Sequence, residues 1–339
     1  MAVLASKIIG VGSYVPPQVF KNSDIEEMMN TSNEWIVQRT GIEQRHWVDA
    51  KTSTSDLALK ASEEAIANAG IKKEDIDMII LATLSPDFDF PGTGCFLQDK
   101  LGLSEIPAID IRQQCSGFLY AMTVADKFIV SGSNKNILVV GAEVHSKGLD
   151  QTPDGRNVSV LFGDGAGAIV MSATEVNDKK TEPCFIDASL HSEGKYAKEL
   201  WLPAAGTGFD STERLSQEML DEKLHYPQMN GKTVFVHAVK RMTEALSKLM
   251  AKNGVTVDDV DVFLFHQANL RINSKVAEVM GIPEEKVFNT IQKYGNTTAA
   301  TIPLGMHDAM KEGVLKPGML VASAAFGAGF TWAASLYRV

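Results

Sequence analysis

Short apolar runs, which are typical of buried strands, alternate along this chain with helical stretches that end at glycine. Two segments share the pattern closely: "NAGIKKEDIDMIILA" at 68–82 and "KNGVTVDDVDVFLFH" at 252–266. In each, a helix-ending glycine precedes an acidic pair, an aspartate and an apolar strand. The two glycines, Gly70 and Gly254, lie 184 positions apart. The pattern therefore predicts the same helix and strand twice.

Three further matches follow in the same order. Helices end at Gly102 and Gly281, and helical stretches at 115–132 and 296–313 again end at glycine. The strands "NILVVGAE" and "GMLVASAA" come next. A period near 180 residues with alternating strands and helices predicts an α/β fold that arose by duplication.

The boundary between the repeats is predicted in the polar segment 172–183, near the middle of the chain. It divides the protein into an N-terminal half, 1–176, and a C-terminal half, 177–339. We expect the first half to carry a nucleophile and the second half to carry a histidine and an asparagine that act with it.

The helix predicted after Cys115 is apolar on nearly all sides, through Phe118, Leu119, Met122, Val124, Phe128, Ile129 and Val130. A helix without a polar face is buried, so one such helix from each repeat would pack centrally between two sheets. Aligning the glycines that end the two helices, at 132 and 313, places Asn296 in the position equivalent to Cys115. His266 follows an apolar strand, and ligands in α/β sheets gather at the carboxyl ends of strands. The three side chains are therefore expected in one pocket.

These residue types together suit chemistry on thioesters. A cysteine at a helix N-terminus is favoured as a thiolate nucleophile, and histidine and asparagine donors on one carbonyl oxygen would stabilise an enolate. The stretch "AFGAGFTW" at 325–332 predicts a strand, a glycine turn and a strand. Its Ala328 N–H and the N–H of Cys115 would form an oxyanion hole. Taken one at a time, Cys115 is typical of an inert buried thiol, His266 of a hydrogen-bonded core histidine and Asn296 of a helix cap. Their equivalent positions in the two repeats favour a catalytic role for the three together.

Composition narrows the classes of protein that fit. The net charge of −10 over 339 residues argues against nucleic-acid binding. The three cysteines, Cys95, Cys115 and Cys184, form no CxxC pair, so neither a disulfide framework nor a metal site is predicted. The first residues do not resemble a signal peptide, and no apolar run reaches the ~20 residues that span a bilayer. We expect a cytoplasmic protein with no membrane segment.

Six dispersed motifs resemble one family, the 3-oxoacyl-[acyl-carrier-protein] synthase III enzymes of the thiolase superfamily, over essentially the whole chain. They are "NTSNEWIVQRTGIEQR" (30–45), "QCSGF" (114–118), "GRNVSVLFGDGAGA" (155–168), "HQANLRI" (266–272), "YGNTTAATIP" (294–303) and "FGAGFTW" (326–332). The resemblance implies a duplicated, five-layered αβαβα thiolase-like fold and a homodimer. It also implies a decarboxylative Claisen condensation of an acyl-CoA primer with malonyl-acyl carrier protein, through an acyl-cysteine and without a cofactor, that initiates fatty-acid synthesis.

The same resemblance assigns roles to individual residues. Cys115 would be the acylated nucleophile, and His266 and Asn296 would activate the malonyl thioester. The remaining implied contacts are Trp35 and Arg156 on the adenine of coenzyme A, Thr31 and Arg39 at the tunnel mouth, Asn269 on the pantetheine, Phe90 in the partner's acyl pocket, and Arg271 on the carrier protein. We expect Lys240, Arg241 and Lys275 to complete the basic surface on which the carrier protein docks.

Some positions depart from the family pattern. Gln114 stands where alanine is common, and "QCSG" is similar to condensing enzymes that make alkylquinolones. Val236 and Glu278 replace basic residues of the docking surface. An alternative is therefore a condensing enzyme of secondary metabolism that uses malonyl-CoA or another β-keto thioester.

Other classes fit the sequence less well. A papain-like Cys-His-Asn hydrolase would carry a different cysteine context and no duplication. A degradative thiolase would need a second cysteine in the C-terminal glycine turn, and an elongating condensing enzyme would have histidine in place of Asn296. A non-catalytic acyl-thioester-binding protein would need no nucleophile.

Overall fold

Two β-sheets, with helices between them and on both outer faces, form the frame of the computed structural model, which describes residues 2–339. The strands are β1 Val3–Tyr14, β2 Val19–Lys21, β3 Gln44–His46, β4 Met78–Ala82, β5 Ala108–Ile111, β6 Asn136–Glu143, β7 Gly165–Val176, β8 Cys184–Ser192, β9 Leu200–Trp201, β10 Gln228–Met229, β11 Val262–Phe265, β12 Leu320–Gly327 and β13 Thr331–Arg338. The helices are α1 Asn22–Met29, α2 Asn33–Thr40, α3 Thr54–Ala69, α4 Thr93–Lys100, α5 Gly117–Val130, α6 Arg156–Ser159, α7 Gln217–Asp221, α8 Gly231–Asn253, α9 Leu270–Met280, α10 Ile291–Tyr294 and α11 Thr301–Lys311.

The two large sheets have related topologies. The first has the strand order β1-β7-β6-β4-β5 and the second β11-β12-β13-β8. In the first, β4 runs parallel to β5 and β6 while β7 is antiparallel to β6. In the second, β11 and β12 are parallel and β13 is antiparallel to β12. Each sheet is thus built from one part of the chain: β7 ends at Val176 and β8 begins at Cys184. The boundary predicted at 176/177 falls in the segment that joins them, and the division into two domains stays a prediction.

Three clusters of buried apolar side chains join the sheets and helices into five layers. One core cluster joins inward residues of both sheets to the buried helices α5 and α11, which form the middle layer. A second cluster packs α3 and α4 on the outer face of the first sheet, and a third packs α8 and α9 on the outer face of the second. The predicted αβαβα architecture and the central position of α5 are confirmed.

Glycines fix how closely these layers approach. Gly70, Gly254 and Gly281, which the sequence predicts to end helices, all have a left-handed conformation, with φ between 64° and 67°. Strand β1 lies against α3 without intervening side chains, since a Cβ at Gly10 would come within 2.2 Å of the Ala65 carbonyl oxygen. Any larger residue there would force the layers apart.

The repeat register differs from the prediction in one respect. Equivalent elements begin 184 residues apart: β4 at 78 and β11 at 262, and α5 at 117 and α11 at 301. Cys115 is therefore equivalent to Ala299, and the pairing of Cys115 with Asn296 is wrong. Its cause is that α5 has 14 residues and α11 has 11, so an alignment on their terminal glycines shifts their beginnings by three.

No helix within residues 2–339 is long and apolar enough to cross a membrane. The longest, α8, has 23 residues and places buried side chains on one face only.

Candidate active site

A cavity of about 370 Å³ opens between the two sheets at the N-terminal ends of the central helices. Seven of the residues singled out in the sequence line it: Trp35, Arg39, Cys115, His266, Asn269, Arg271 and Asn296. Thr31, Phe90, Arg156, Lys240, Lys275 and Ala328 lie outside its lining. The cysteine, histidine and asparagine predicted to share a pocket thus do so.

Cys115 lies in a single 3-10 turn, Gln114–Ser116, that leads directly into α5. The turn is sharp because Gln114 has a left-handed backbone, with φ of 43°. The thiol is 8% exposed, and this burial, together with the nearby Glu143 carboxyl, raises its pKa to about 12. The backbone amide of Cys115 and the Thr298 hydroxyl oppose the rise. The expectation of a resting thiolate is therefore wrong, because desolvation outweighs the helix end.

The turn between β12 and β13 faces the thiol. A Cβ added at Gly327 would lie 2.8 Å from the Cys115 Cβ and 3.2 Å from its sulfur, so glycine is required at this position. The N–H groups of Cys115 and Ala328 donate to no backbone acceptor among residues 2–339. The strand, turn and strand predicted for 325–332 are confirmed. The oxyanion hole formed by the N–H groups of Cys115 and Ala328 stays a prediction.

His266 follows the last residue of β11 and is held by its backbone N–H, which donates to Ala324 at 2.9 Å. Its Nδ1 lies 2.7 Å from the hydroxyl of Thr301, while Nε2 is buried without a partner among the described residues. Burial lowers the pKa of this imidazole to about 3. His266 is therefore neutral. A proton on its Nε2 requires the Thr301 hydroxyl to donate to Nδ1 rather than to the Thr298 carbonyl, which lies 3.1 Å from the same hydroxyl.

Asn296 lies on a short parallel bridge with Phe162. Its N–H donates to Leu161 at 2.8 Å, and its carbonyl accepts from Gly163 at 3.1 Å. The side-chain Oδ1 accepts from the Thr298 N–H at 2.9 Å, which orients the amide and leaves its Nδ2 group free to donate into the cavity. The helix-cap interpretation fails, since α11 begins five residues later.

Four polar residues around this triad were not found from the sequence. Thr298 and Thr301 hold the asparagine and the histidine, His145 lies 2.6 Å from the Thr298 hydroxyl, and Glu143 is fully buried close to Cys115. The threonines stand in "GNTTAAT", where a run of small hydroxyl residues before an apolar helix is a usable signal. Glu143 and His145 follow the apolar run of β6, which is the same signal that identified His266.

The mouth of the cavity is formed around Trp35. The Arg39 guanidinium lies 4.5 Å from the indole centroid and that of Arg156 lies 5.0 Å away. Arg156 also donates to the Asn30 carbonyl at 2.9 Å, and the Thr31 hydroxyl beside it is buried without a partner in the described chain. An aromatic base between Trp35 and Arg156 needs a gap of ~7 Å, two van der Waals separations, so Arg156 must move for a base to bind there.

The other residues to which the family resemblance assigns contacts are either bonded within the chain already or lie outside the cavity. The Asn269 side chain caps α9 and donates to the Arg39 carbonyl, so both its polar atoms are engaged. Phe90 is 81% exposed and does not line its own chain's cavity. Lys240 and Lys275 face Glu244 and Glu278 at 4.0 and 2.7 Å. Within residues 2–339, no cluster of three or more acidic, histidine or cysteine side chains is arranged to hold a metal ion.

A duplicated five-layered fold with a buried cysteine, histidine and asparagine around one cavity defines a condensing enzyme of the thiolase fold. Comparison with known proteins agrees. Family models described as 3-oxoacyl-[acyl-carrier-protein] synthase III and its C-terminal part match residues 109–194 and 250–339. The chain belongs to the 3-oxoacyl-[acyl-carrier-protein] synthase III family.

Relatives align over nearly the full length. The β-ketoacyl-[acyl-carrier-protein] synthase III of Koribacter versatilis is 43% identical, covering 99% of this chain and 98% of that protein. The corresponding enzyme of Sulfurovum sp. is 44% identical, over 96% and 93% of the two chains. The crystal structure of 3-oxoacyl-[acyl-carrier-protein] synthase III from Aquifex aeolicus has a TM-score of 0.88 and 41% identity, and the match covers 98% of this chain and all of that chain.

The buried carboxyl of Glu143 predicts a pH-dependent stability. Thr83, Leu84 and Ser85 donate hydrogen bonds to it, but burial dominates and raises its pKa from 4.5 to about 7. The folded state holds this proton more tightly than the unfolded state. The contribution of the protonated Glu143 to the free energy of unfolding is therefore fully present below pH ~4.5 and decreases as the pH rises towards 7.

We expect the free energy of unfolding of the wild type to fall between pH 5 and pH 7, by at most ~1.4 kcal/mol per pH unit, relative to Glu143→Gln. Urea denaturation followed by circular dichroism at both pH values measures this difference. Glu105→Gln, at an exposed loop position, is the control and should follow the wild type. A Glu143→Gln profile parallel to that of the wild type contradicts the prediction.

Proposed function

We propose that this protein condenses an acyl-CoA primer with a malonyl thioester carried by acyl carrier protein, through an acyl-Cys115 intermediate, as the initiating step of fatty-acid synthesis. The observation that carries the proposal is the convergence of Cys115, His266 and Asn296 on one cavity whose mouth is formed by Trp35 and Arg39. Family membership supports it, since the relatives' names specify synthase activity with an acyl carrier protein.

In the first half-reaction, the Cys115 sulfur attacks the carbonyl carbon of the acyl-CoA. The negative charge that develops on the carbonyl oxygen is held by the N–H groups of Cys115 and Ala328, which have no other backbone acceptor in the described chain. The carbon–sulfur bond to coenzyme A then breaks. The acyl group remains on Cys115, the proton of the Cys115 thiol passes to the departing sulfur, and coenzyme A leaves past Trp35 as its thiol.

In the second half-reaction, the malonyl thioester carbonyl accepts hydrogen bonds from His266 Nε2 and Asn296 Nδ2. The electron pair of the bond to the leaving CO₂ becomes an enolate, which these two donors stabilise. A neutral donor suits this role, and burial keeps His266 neutral at physiological pH. The enolate carbon attacks the acyl-cysteine carbonyl, and release of the Cys115 sulfur gives the β-ketoacyl thioester.

The charge around the mouth supports a specific docking contact. Arg241 pairs with Glu193 and Glu244, and Lys240 and Lys275 also face acidic side chains. Arg271 lines the cavity, packs over the Phe235 ring at 5.7 Å and forms no ion pair within residues 2–339. We propose Arg271 as the main positive contact for an acidic carrier protein, because the charges of the other three are largely compensated.

The position of Phe90 supports a homodimer. Phe90 and Phe88 are 81% and 61% exposed on neighbouring positions of one loop, and Asp89 between them pairs with Arg214 at 2.6 Å. Exposed aromatic side chains on a positioned loop are typical of an interface. We propose that Phe90 closes the far end of the partner's acyl pocket, as the family resemblance implies.

The proposal is tested by acylation. With an acyl-CoA, we expect one acyl group per chain, located on Cys115 by peptide mass analysis. Cys184 is buried outside the cavity lining and Cys95 is exposed on α4, so both serve as internal controls. Cys115→Ser should lose the adduct. An adduct on Cys95 or Cys184, or transfer that persists in Cys115→Ser, contradicts the assignment.

The two half-reactions should separate in variants. His266→Ala and Asn296→Ala remove donors to the malonyl carbonyl, so we expect malonyl decarboxylation and condensation to fall by ~10²–10³-fold while Cys115 acylation changes much less. Radiolabelled CO₂ release and acyl-enzyme formation measure the two steps. Equal losses in both steps would show that His266 is instead the base for the thiol.

Primer length should depend on Phe90. Each buried methylene stabilises binding by ~0.8 kcal/mol, so an open pocket favours long chains and an aromatic stopper reverses the preference. We expect the wild type to prefer acetyl- to butyryl-CoA and Phe90→Thr to shift to longer primers, measured as Cys115 acylation rates across a primer series. Phe88→Thr is the matched control, because Phe88 instead packs against Phe96. An unchanged preference in dimeric Phe90→Thr removes Phe90 from this role.

A further inference from the structure

The buried amide of Gln267 joins two separate segments of the chain beside the cavity. Gln267 is 2% exposed, and its Oε1 accepts from the N–H groups of Thr290 and Ile291 at 3.1 and 3.2 Å. Its Nε2 donates to the Phe265 carbonyl, at the end of β11, at 2.8 Å. Because both ends of the amide are hydrogen-bonded, the side chain holds the two segments at a fixed separation.

The two N–H groups that Gln267 binds belong to the first turn of α10. This helix has only four residues, and the Thr290 side chain that precedes it forms no capping bond. A helix of this length is not stable by itself, and its first N–H groups need an acceptor from outside the helix. The Gln267 oxygen is that acceptor, so the position of α10 depends on it.

The segment before α10 is held along the same strand. Val287 forms a parallel bridge with Phe263 in β11, and the Phe288 N–H donates to the Phe263 carbonyl at 3.1 Å. Gln267 adds the last connection, at the end of the strand where His266 lies. The chain leaves this connection through α10 and Gly295 and reaches Asn296 directly afterwards.

The separation of His266 and Asn296 is decisive for the chemistry proposed for them. Two donors that share one carbonyl oxygen must each lie within about 2.7–3.1 Å of it to stabilise its negative charge. A displacement of about 1 Å can lower a rate by ~10²-fold. His266 and Asn296 stand on different segments, so their separation depends on the contacts that hold these segments together.

We propose that Gln267 is a positioning residue for the condensation step, which sets the place of Asn296 relative to His266 by fixing the first turn of α10 against the end of β11. Gln267 lies outside the cavity lining and acts through the backbone of α10. Its hydrogen bonds do not reach the turn that carries Cys115, so the acylation step does not depend on it. This inference rests on the proposed action of the two donors on the malonyl thioester.

The test compares the two half-reactions in variants of the full-length protein. Gln267→Met keeps the length of the side chain and removes both polar atoms, whereas Gln267→Glu keeps the oxygen that accepts from α10. Gln292→Met is the matched control, because Gln292 lies in α10 and its amide donates to the Asn289 carbonyl in the same segment. Radiolabelled CO₂ release from a malonyl thioester and acylation of Cys115 by an acyl-CoA are measured for each variant.

We expect malonyl decarboxylation to fall by ~10²-fold in Gln267→Met while Cys115 acylation changes much less. Gln267→Glu should retain more decarboxylation than Gln267→Met, and Gln292→Met should match the wild type. Thermal unfolding identifies a variant that fails to fold. If Gln267→Met does so, Gln267→Asn, which is one methylene too short to reach both segments, takes its place in the same measurements.

A second comparison separates positioning from general damage to the fold. In an Asn296→Ala background the group that Gln267 positions is absent, so Gln267→Met should lower the remaining decarboxylation very little. Damage to the fold would instead lower the rate by the same factor in both backgrounds.

Three results overturn the inference. They are an unchanged rate of decarboxylation in Gln267→Met, equal losses in acylation and decarboxylation, and a loss that persists in full in the Asn296→Ala background. Failure of the proposed function is distinguishable from these, because the wild-type protein would then neither become acylated on Cys115 nor release CO₂ from a malonyl thioester.

Discussion

The site depends on the meeting of two tight turns at the centre of the molecule. The turns Gln114–Ser116 and Thr298–Ala300 each begin at a left-handed residue and each lead into a buried helix, α5 or α11. Because the helices pack side by side between two sheets, their first turns are pressed together. Thr298 then links the other two members of the triad. Its N–H orients Asn296, and its carbonyl accepts from the Thr301 hydroxyl at 3.1 Å, which in turn holds His266.

Burial sets the protonation state of this site. Removal from water disfavours every charged form, so Cys115 keeps its proton, both His145 and His266 are neutral, and Glu143 is held close to neutrality. A site of neutral groups suits a reaction in which negative charge appears first on a thioester oxygen and then on an enolate. Within residues 2–339 the N–H groups of Cys115 and Ala328 have no backbone acceptor at rest, and the developing charge would provide one.

The surface around the cavity, unlike its interior, is not arranged to receive a ligand. Arg156 rests on Trp35, at a separation that leaves no space for a base, so the mouth must open for coenzyme A. The loop that carries Phe90 projects away from its own cavity. Lys240, Arg241 and Lys275 are paired with acidic side chains, whereas Arg39 and Arg271, which line the cavity, form no ion pair within residues 2–339.

The sequence by itself determined the duplicated α/β fold and the two buried helices, because hydrophobic periodicity and helix-ending glycines are local signals that survive in each repeat. It also placed the three polar side chains in one pocket, although the register that selected Asn296 is wrong. It did not determine that Cys115 is equivalent to Ala299, since the central helices differ in length by three residues. Nor did it show Thr298, His145 and Glu143 around the thiol. These residues come from different parts of the chain, and their contacts exist only after the two repeats have packed together. The same packing removes water from the cysteine, so only the tertiary structure decided that desolvation outweighs the helix end and keeps the thiol protonated at rest.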